Sequence, residues 1–524
     1  MAEMISMETL KAPELFGCVF LLVATLLLFK QQLLAASKRR TAASPSLPSP
    51  RGLPLIGNLH QLGALPHAAL AALAAEHGAP LMLLRLGSVR ALVVSTAAAA
   101  RAVLQPNDRA LSGRPAMRVM ATLSYGRQDI GFAPPDAPWR AARRACVLEL
   151  LGAPRVRGFR AAREGGAAAL VAAVETASRS GSVPAVNLTD MLVEASNKIV
   201  RRVLFGDDGE ANISAKAVLE ETQGILGAFF VGDYMPWLGW LDALRGLRRR
   251  LDRHFLELDA LYERVIDDHL KNKNKRAMST EEDLVDVLLR LHGDPDHRET
   301  FTRSRIKGIL TDMFIAGTET SAAALEWTMT ELVRHPEALA KAQGEVRRAV
   351  AAGGGGGGGE GMVRESDLPG LRYLKLVIRE SLRLHPPSPL LLPRETVEPI
   401  TVDGGGEVPA GTLVLVNAKA IGADPDAWGE DAARFVPERH DGAADLSDHK
   451  PWHDSFALVP FGFGRRSCPG VHFATAVVEL LLANLLLCFD WRAPDGEVVD
   501  VEEESGMTVF RKNPLVLVAQ RTTG

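Results

Sequence analysis

The apolar positions change period several times along the chain, and each change marks an element. From Leu15 to Phe29 no charge interrupts an apolar run, which resumes at Leu33 to Ala36 beyond Lys30. That is close to the roughly 20 residues a membrane span needs, and a lysine near the end can reach the interface along its stem. Residues 1–40 are expected to be a transmembrane anchor, with Lys38, Arg39 and Arg40 keeping the remainder of the chain on the cytoplasmic side. A cleaved secretory signal is the competing reading, against which Glu3, Glu8 and Glu14 weigh. Pro45, Pro48, Pro50, Gly52, Pro54 and Gly57 then forbid helix, so 41–58 reads as a stiff hinge.

Residues 59–524 read as one body, mainly α with a small β region. His67 to His77 has helical spacing, and the short apolar runs Leu81 to Leu86 and Ala91 to Ser95 flank Gly87-Ser88 as a hairpin. From Pro138 to about Ala352 a 3.6-residue period persists, broken at Gly181 to Pro184, Gly206 to Gly209 and Asn272 to Asn274. The seven glycines of Gly353 to Gly359 can pack against nothing and read as a surface insertion. A helix from Leu371 to His385 stops at Pro386-Pro387, and strands are expected at Leu390 to Glu395 and Thr412 to Val416. The last long helix begins after Pro469 and runs through Ala474 to Cys488, before strand-like segments at Met507 to Phe510 and Leu515 to Ala519.

Composition narrows the function. Hydrophobic residues make up 47% and charged residues 23%, enough apolar material for a large core. A formal charge of −3 without a basic stripe excludes nucleic acid as partner. The four cysteines, Cys18, Cys146, Cys468 and Cys488, are too scattered for a disulfide framework or a zinc site, so a reducing compartment is expected. The thirteen histidines show no metal-ligand spacing, and no GxSxG elbow occurs.

The sharpest segment is Phe461-Gly462-Phe463-Gly464-Arg465-Arg466-Ser467-Cys468-Pro469-Gly470. Glycines allow a tight turn that aims amides at a sulfur placed just before a helix N-terminus, where dipole and amides favour a thiolate. This segment resembles the haem-binding loop of the cytochrome P-450 family, FxxGxRxCxG, at every fixed position. The resemblance implies that Cys468 is the axial ligand of haem b iron, pushing electron density toward O–O cleavage, and that Arg466 pairs with a propionate.

Other motifs take their meaning from that resemblance. Glu380 and Arg383 lie three apart on one helix face; alone they are an ordinary ion pair, but in the family they join the arginine of a PERF segment, here Pro437-Glu438-Arg439-His440. The implied structural triad is Glu380, Arg383 and Arg439, with His440 where the family carries phenylalanine. Ala316-Gly317-Thr318-Glu319-Thr320 lies inside a long helix from about Ser304 to Arg334. Read alone it is a polar patch, with a glycine that costs about 1 kcal/mol in a helix interior. By resemblance it is the oxygen-binding groove, Thr320 steadying oxygen and a water, Glu319 serving proton delivery. Trp139, Arg143 and Arg394 match positions that partner the propionates, whereas Arg140 and Arg144 read as surface residues that help dock an acidic electron-transfer protein.

The resemblance covers the whole chain and looks closest to plant microsomal members of the A-type group. It implies a cytochrome P-450 fold behind an endoplasmic reticulum anchor, single-pass, with the catalytic body in the cytosol. The implied reaction inserts one atom of O2 into a small apolar plant metabolite of indole or benzoxazinoid, aldoxime, terpenoid or phenylpropanoid type. Electrons come from NADPH through NADPH-cytochrome P-450 reductase, and membrane lipid is a further partner. By family position the pocket is walled by Ala116 to Phe132, Phe314 to Ala316, Leu390, Leu391, Leu392, Met507 and Thr508. The alternative is a reductase-independent haem-thiolate isomerase or dehydratase, against which Thr320 beside Glu319 argues.

Overall fold

The computed structural model describes residues 47–179, 185–206, 215–272, 282–352, 361–402, 406–442, 456–495 and 497–522. The expected anchor, the first part of the hinge and the polyglycine run lie outside the described residues. Two compact units are distinguished, residues 1–47 with 401–407 and residues 48–400 with 408–524. Of the first, little beyond the ends of two short strands is described, and all the described helices belong to the second.

In chain order the main elements of this second unit are α1 (Pro66–Glu76), β1 (Leu81–Leu86), β2 (Val89–Val94), α2 (Ala137–Ala145), α3 (Arg160–Arg179), β3 (Ala185–Asn187), α4 (Leu188–Phe205) and α5 (Ala215–Leu226). They continue with α6 (Arg303–Arg334), α7 (Pro336–Ala352), α8 (Arg372–Leu384), β4 (Arg394–Glu395), β5 (Leu413–Val416), α9 (Val471–Cys488), β6 (Phe489–Arg492) and β7 (Val516–Arg521). Helix dominates, and among the described residues the small β region forms two sheets of three or more strands beside a two-stranded one, Ile400–Val402 with Gly406–Val408. One has the order β1-β2-β5-β4, with β2 and β5 parallel, and the other is β3-β7-β6, antiparallel throughout.

The core is built on α6 and α9, which are buried on nearly every face; α9 is apolar all round, while α6 also buries polar and charged side chains such as Thr318, Glu319 and Glu326. Thr302 caps α6 by accepting from the Arg305 amide, and the helix then packs on α4, α8 and α9. Among the described residues α9 alone is long and apolar enough to cross a membrane, and 78% of it is buried in protein.

Several expectations need correction. Of the hinge, Pro48 to Asn58 is docked on the body: Leu83 N donates to Pro48 O at 3.0 Å, and Asn58 bonds both Pro50 O and Arg85 N. Gly57, at φ 60°, pairs with Leu86, and a Cβ there would lie 2.0 Å from Arg85 O. The strand expected from Leu390 shrinks to Arg394–Glu395, because Pro389 and Pro393 lack amide hydrogens and Leu391 sits at φ 53°. Met507 to Phe510 is a turn rather than a strand, closed by Glu504 N donating to Phe510 O at 2.9 Å. Strand β3, three residues beside an expected break, is too short to show a period of two.

Candidate active site

The cysteine loop is fixed from both ends. Gly462 and Gly464 have φ of 69° and 61°, and a Cβ on Gly464 would run into Asp108. The Cys468 amide donates to Phe461 O at 2.8 Å, turning the thiol inward just ahead of α9. Burial pushes the Cys468 thiol up, while the Gly470 amide and Arg143 pull it back toward the thiolate.

Four arginines converge beside this loop. Arg466 donates to Ser112 O at 2.8 Å and Ile130 O at 3.3 Å, with its guanidinium 3.9 Å from the centre of the Trp139 ring. Arg394 donates to Phe463 O at 2.7 Å, and Arg143 to Ser467 O. Arg114, which the motifs do not single out, donates to Gly131 O, Leu392 O and Pro393 O at 2.9, 2.7 and 2.8 Å. Among the described residues none of the four is hydrogen-bonded to a carboxylate. Arg394 Nη1 has no hydrogen-bond partner, and Asp108 comes only within 3.9 Å of it. Burial lowers the affinity of all four for protons, and mutual repulsion adds to it for Arg114, Arg394 and Arg466, bringing Arg394 to about 10 and Arg466 to about 9. So much positive charge with so little compensation in a buried wall calls for an anion. Trp139 does not offer its indole N–H to one, since Nε1 donates to Ile130 O at 3.0 Å.

Opposite the thiol, α6 exposes Ala316 and part of Thr320 in the middle of an otherwise buried helix. Thr320 Oγ1 donates to Ala316 O at 2.7 Å. Gly317 lets α4 approach, since a Cβ there would stand 3.3 Å from Val200. Glu319 is 3% exposed, and burial raises its carboxyl to about 8 against the opposing bonds from Gln223 and Thr508. It is therefore protonated near neutral pH.

Cys468, the arginines, Ala316, Glu319 and Thr320 share one mostly apolar cavity of about 360 Å³. Leu391, Leu392, Met507 and Thr508 line it as expected, together with Met120, Ile130 and Phe132 from the segment 116–132. Two expected wall residues do not. Phe314 points away from the cavity, buried at 3% with its ring 6.3 Å from Phe205, while Met313 and Ile315 do line it. Leu390 packs instead on the apolar cluster around β1 and β2, because the turn at Leu391 sends it outward.

Two wall carboxyls pair in a way the sequence does not signal, although Asp129 lies inside the expected wall segment 116–132. Asp129 and Asp312 meet across the loop–α6 contact, with Asp312 accepting from Ile130 N and Gly131 N at 2.8 and 3.0 Å. Burial raises both carboxyls, Asp312 to about 6.

Behind the thiol loop, Glu380 accepts from Arg383 at 2.7 and 2.8 Å and from Arg439 at 2.9 Å. His440 adds a fourth contact at 2.8 Å, in the place of a residue that could only pack. Burial works against the charge on Glu380, but these bonds outweigh it and hold the carboxyl at about 2.

A family model described as Cytochrome P450 matches residues 47–518. The strychnine-11-hydroxylase of Strychnos nux-vomica is 43% identical over 93% of this chain and 94% of its own length. Cytochrome P450 71A9 of Glycine max is 44% identical over 94% and 97%, and cytochrome P450 71A26 of Arabidopsis thaliana 40% over 97% and 98%. The chain belongs to the cytochrome P450 family. As a cytochrome P450 it is a haem-dependent monooxygenase, its cofactor is haem b, and NADPH electrons reach it through a reductase. The cavity fits that cofactor: a cysteine sulfur on one side, an open helix face on the other, and at the edge arginine charge that two propionates would neutralise. Its plant relatives are typically membrane-bound.

Proposed function

We propose that this cytochrome P450 hydroxylates a small, largely apolar plant specialised metabolite at the endoplasmic reticulum, with a single N-terminal span and its catalytic body in the cytosol. The observation that carries the reading is the placement of Cys468 Sγ and the Ala316–Thr320 face of α6 on one apolar cavity, with four arginines at its edge that no carboxylate hydrogen-bonds. Cys468 ligates the iron, and Arg114, Arg143, Arg394 and Arg466 hold the propionates. When bound, the haem supplies the activation of O2 that the side chains cannot.

The protein's own part is orientation, exclusion of water and proton supply. Apolar side chains such as Met120, Ile130, Leu391 and Met507 hold substrate by burial, which suits a ligand with few polar groups. Thr320 turns its hydroxyl lone pairs toward the cavity while donating to Ala316 O, and so can accept from a water there. Glu319, neutral near pH 7, carries the proton that reaches that water. Exposed Arg140 and Arg144 offer positive charge to the reductase.

The hydroxylase named for strychnine, 43% identical, supports specialised metabolism as the setting. Indole or benzoxazinoid, aldoxime, terpenoid and phenylpropanoid substrates all suit an apolar cavity of this size. The test is reduction of the purified holoprotein under carbon monoxide. A red-shifted Soret band is expected from the wild type and its loss from Cys468→Ser, and equal spectra from both would overturn the ligand assignment. Binding spectra against a panel of plant metabolites, with product analysis in the presence of reductase, then select the substrate; turnover without reductase would point to rearrangement instead.

A further inference from the structure

We propose that Gln223 is the positioning residue of the proton donor, holding Glu319 so that its single acidic hydrogen sits on Oε1, facing the cavity water rather than the protein. This rests on the reading of Glu319 as the acid of the site.

Hydrogen-bond arithmetic fixes the proton's place. A neutral carboxyl has one O–H and one carbonyl oxygen, and only the carbonyl oxygen readily accepts from further donors. Gln223 Nε2 donates to Glu319 Oε2, and Thr508 also bonds the carboxyl. Oε2 is therefore the carbonyl oxygen, and the hydrogen belongs on Oε1. Oε1 is buried and, among the described residues, has no hydrogen-bond partner, although Glu319 lines the cavity. A buried O–H without an acceptor costs on the order of 1–3 kcal/mol, which gives the site a standing demand for a water at that atom. Among the described residues these two neutral donors act on the Glu319 carboxyl, so its orientation is left to them.

Gln223 is itself well placed for the task. It lies on α5, one turn before the cavity-lining Leu226, and its Oε1 would be 3.5 Å from a Cβ on Gly506. Gly506 precedes Met507 and Thr508, which also line the cavity, and a Cβ there would press on Thr508 O at 2.7 Å. One amide thus joins two substrate walls, α5 and the 506–508 turn, to the acid on α6. A ligand that displaces either wall moves the donor that sets the proton's position.

The test uses the full-length ferric holoenzyme and infrared difference spectroscopy, with Glu319→Gln identifying the protonated-carboxyl C=O stretch. In Gln223→Leu that stretch should shift to higher frequency, as expected when a carbonyl oxygen loses a donor. Product formed per NADPH should fall on the order of tenfold, with the alkaline limb of its pH profile moved up from about 8, because a donor that favours the carboxylate has gone. A carbon monoxide spectrum reports folding, and Gln223→Met serves if the leucine variant fails to load haem. An unchanged stretch and limb in Gln223→Leu, with both lost in Glu319→Gln, would overturn the role of Gln223 alone. A Glu319→Gln variant that keeps full product yield would overturn the acid assignment beneath it.

Discussion

The carboxyl pair of Asp129 and Asp312 is a pH-sensitive contact in the cavity wall. Asp312 accepts two amides from the 130–131 backbone, and Gly131 and Gly308 leave the room this requires: a Cβ would stand 3.1 Å from Asp312 Oδ1 and 3.3 Å from Asp129 N respectively. Two carboxylates this close cannot both ionise cheaply, so a shared proton is favoured. Because burial lifts Asp312 from 3.8 to about 6, the folded state holds that proton more tightly than the unfolded chain. Its stabilising contribution is full below about pH 4 and is lost as pH rises through about 6. Asp312→Asn should keep both amide bonds through its oxygen and donate to Asp129 through its nitrogen. Denaturant unfolding at pH values between about 5 and 8 should show the wild type losing roughly 1–3 kcal/mol that the variant retains; parallel curves would show that the pair contributes no such pH dependence. Asp129 lies inside the expected wall segment 116–132, but its pairing with Asp312 was not legible in the sequence, and nor was Arg114. Each stands alone in a loop or on a helix face, and only the fold brings it to a partner.

At the scale of elements, the Glu380 cluster clasps α8 to the 437–440 turn. Arg383 spends its remaining donors on Gly422 O, Ala432 O and Arg434 O, the last at 2.9 Å, and Val436 N donates to Glu380. Glu380→Gln leaves two arginines with a neutral partner in a buried site, which should cost about 3–5 kcal/mol and show as a lower thermal midpoint with haem loss. His440→Phe removes one bond of several to the carboxylate and should cost only about 1–2 kcal/mol. Equal losses in the two variants would mean that His440 is a full member of the clasp. The spacing of Glu380 and Arg383 on one helix was readable, because helical period alone puts them together. Their meeting with Arg439 came from resemblance, and the bond from His440 from neither. The same contrast holds for strands: Leu81–Leu86 declares itself in its apolar run, whereas Leu390–Leu392 looks equally apolar but is bent by flanking prolines that a hydrophobic pattern does not register.

For the whole molecule, the cavity wall draws on residues from Arg114 to Thr508, and both the thiol loop and the triad fall within that span. The described wall residues begin at Arg114, well after the apolar stretch Leu15 to Phe29 and the basic residues that follow it. Residues 1–40 and the catalytic body should therefore be separable: the truncated protein should partition into the soluble fraction on flotation with lipid vesicles, and its carbon monoxide spectrum should match the full chain's. A cluster of exposed apolar residues on the described body bears on this outcome. Phe229, Trp237, Trp240 and Leu244 are 41%, 52%, 56% and 74% exposed within 16 residues of sequence, and aromatic side chains favour the headgroup region of a bilayer. If the truncated protein still floats with vesicles, replacing Trp237 and Trp240 by serine should release it. Flotation that survives both changes would mean that the span at the N-terminus is not what holds this cytochrome P450 to the membrane.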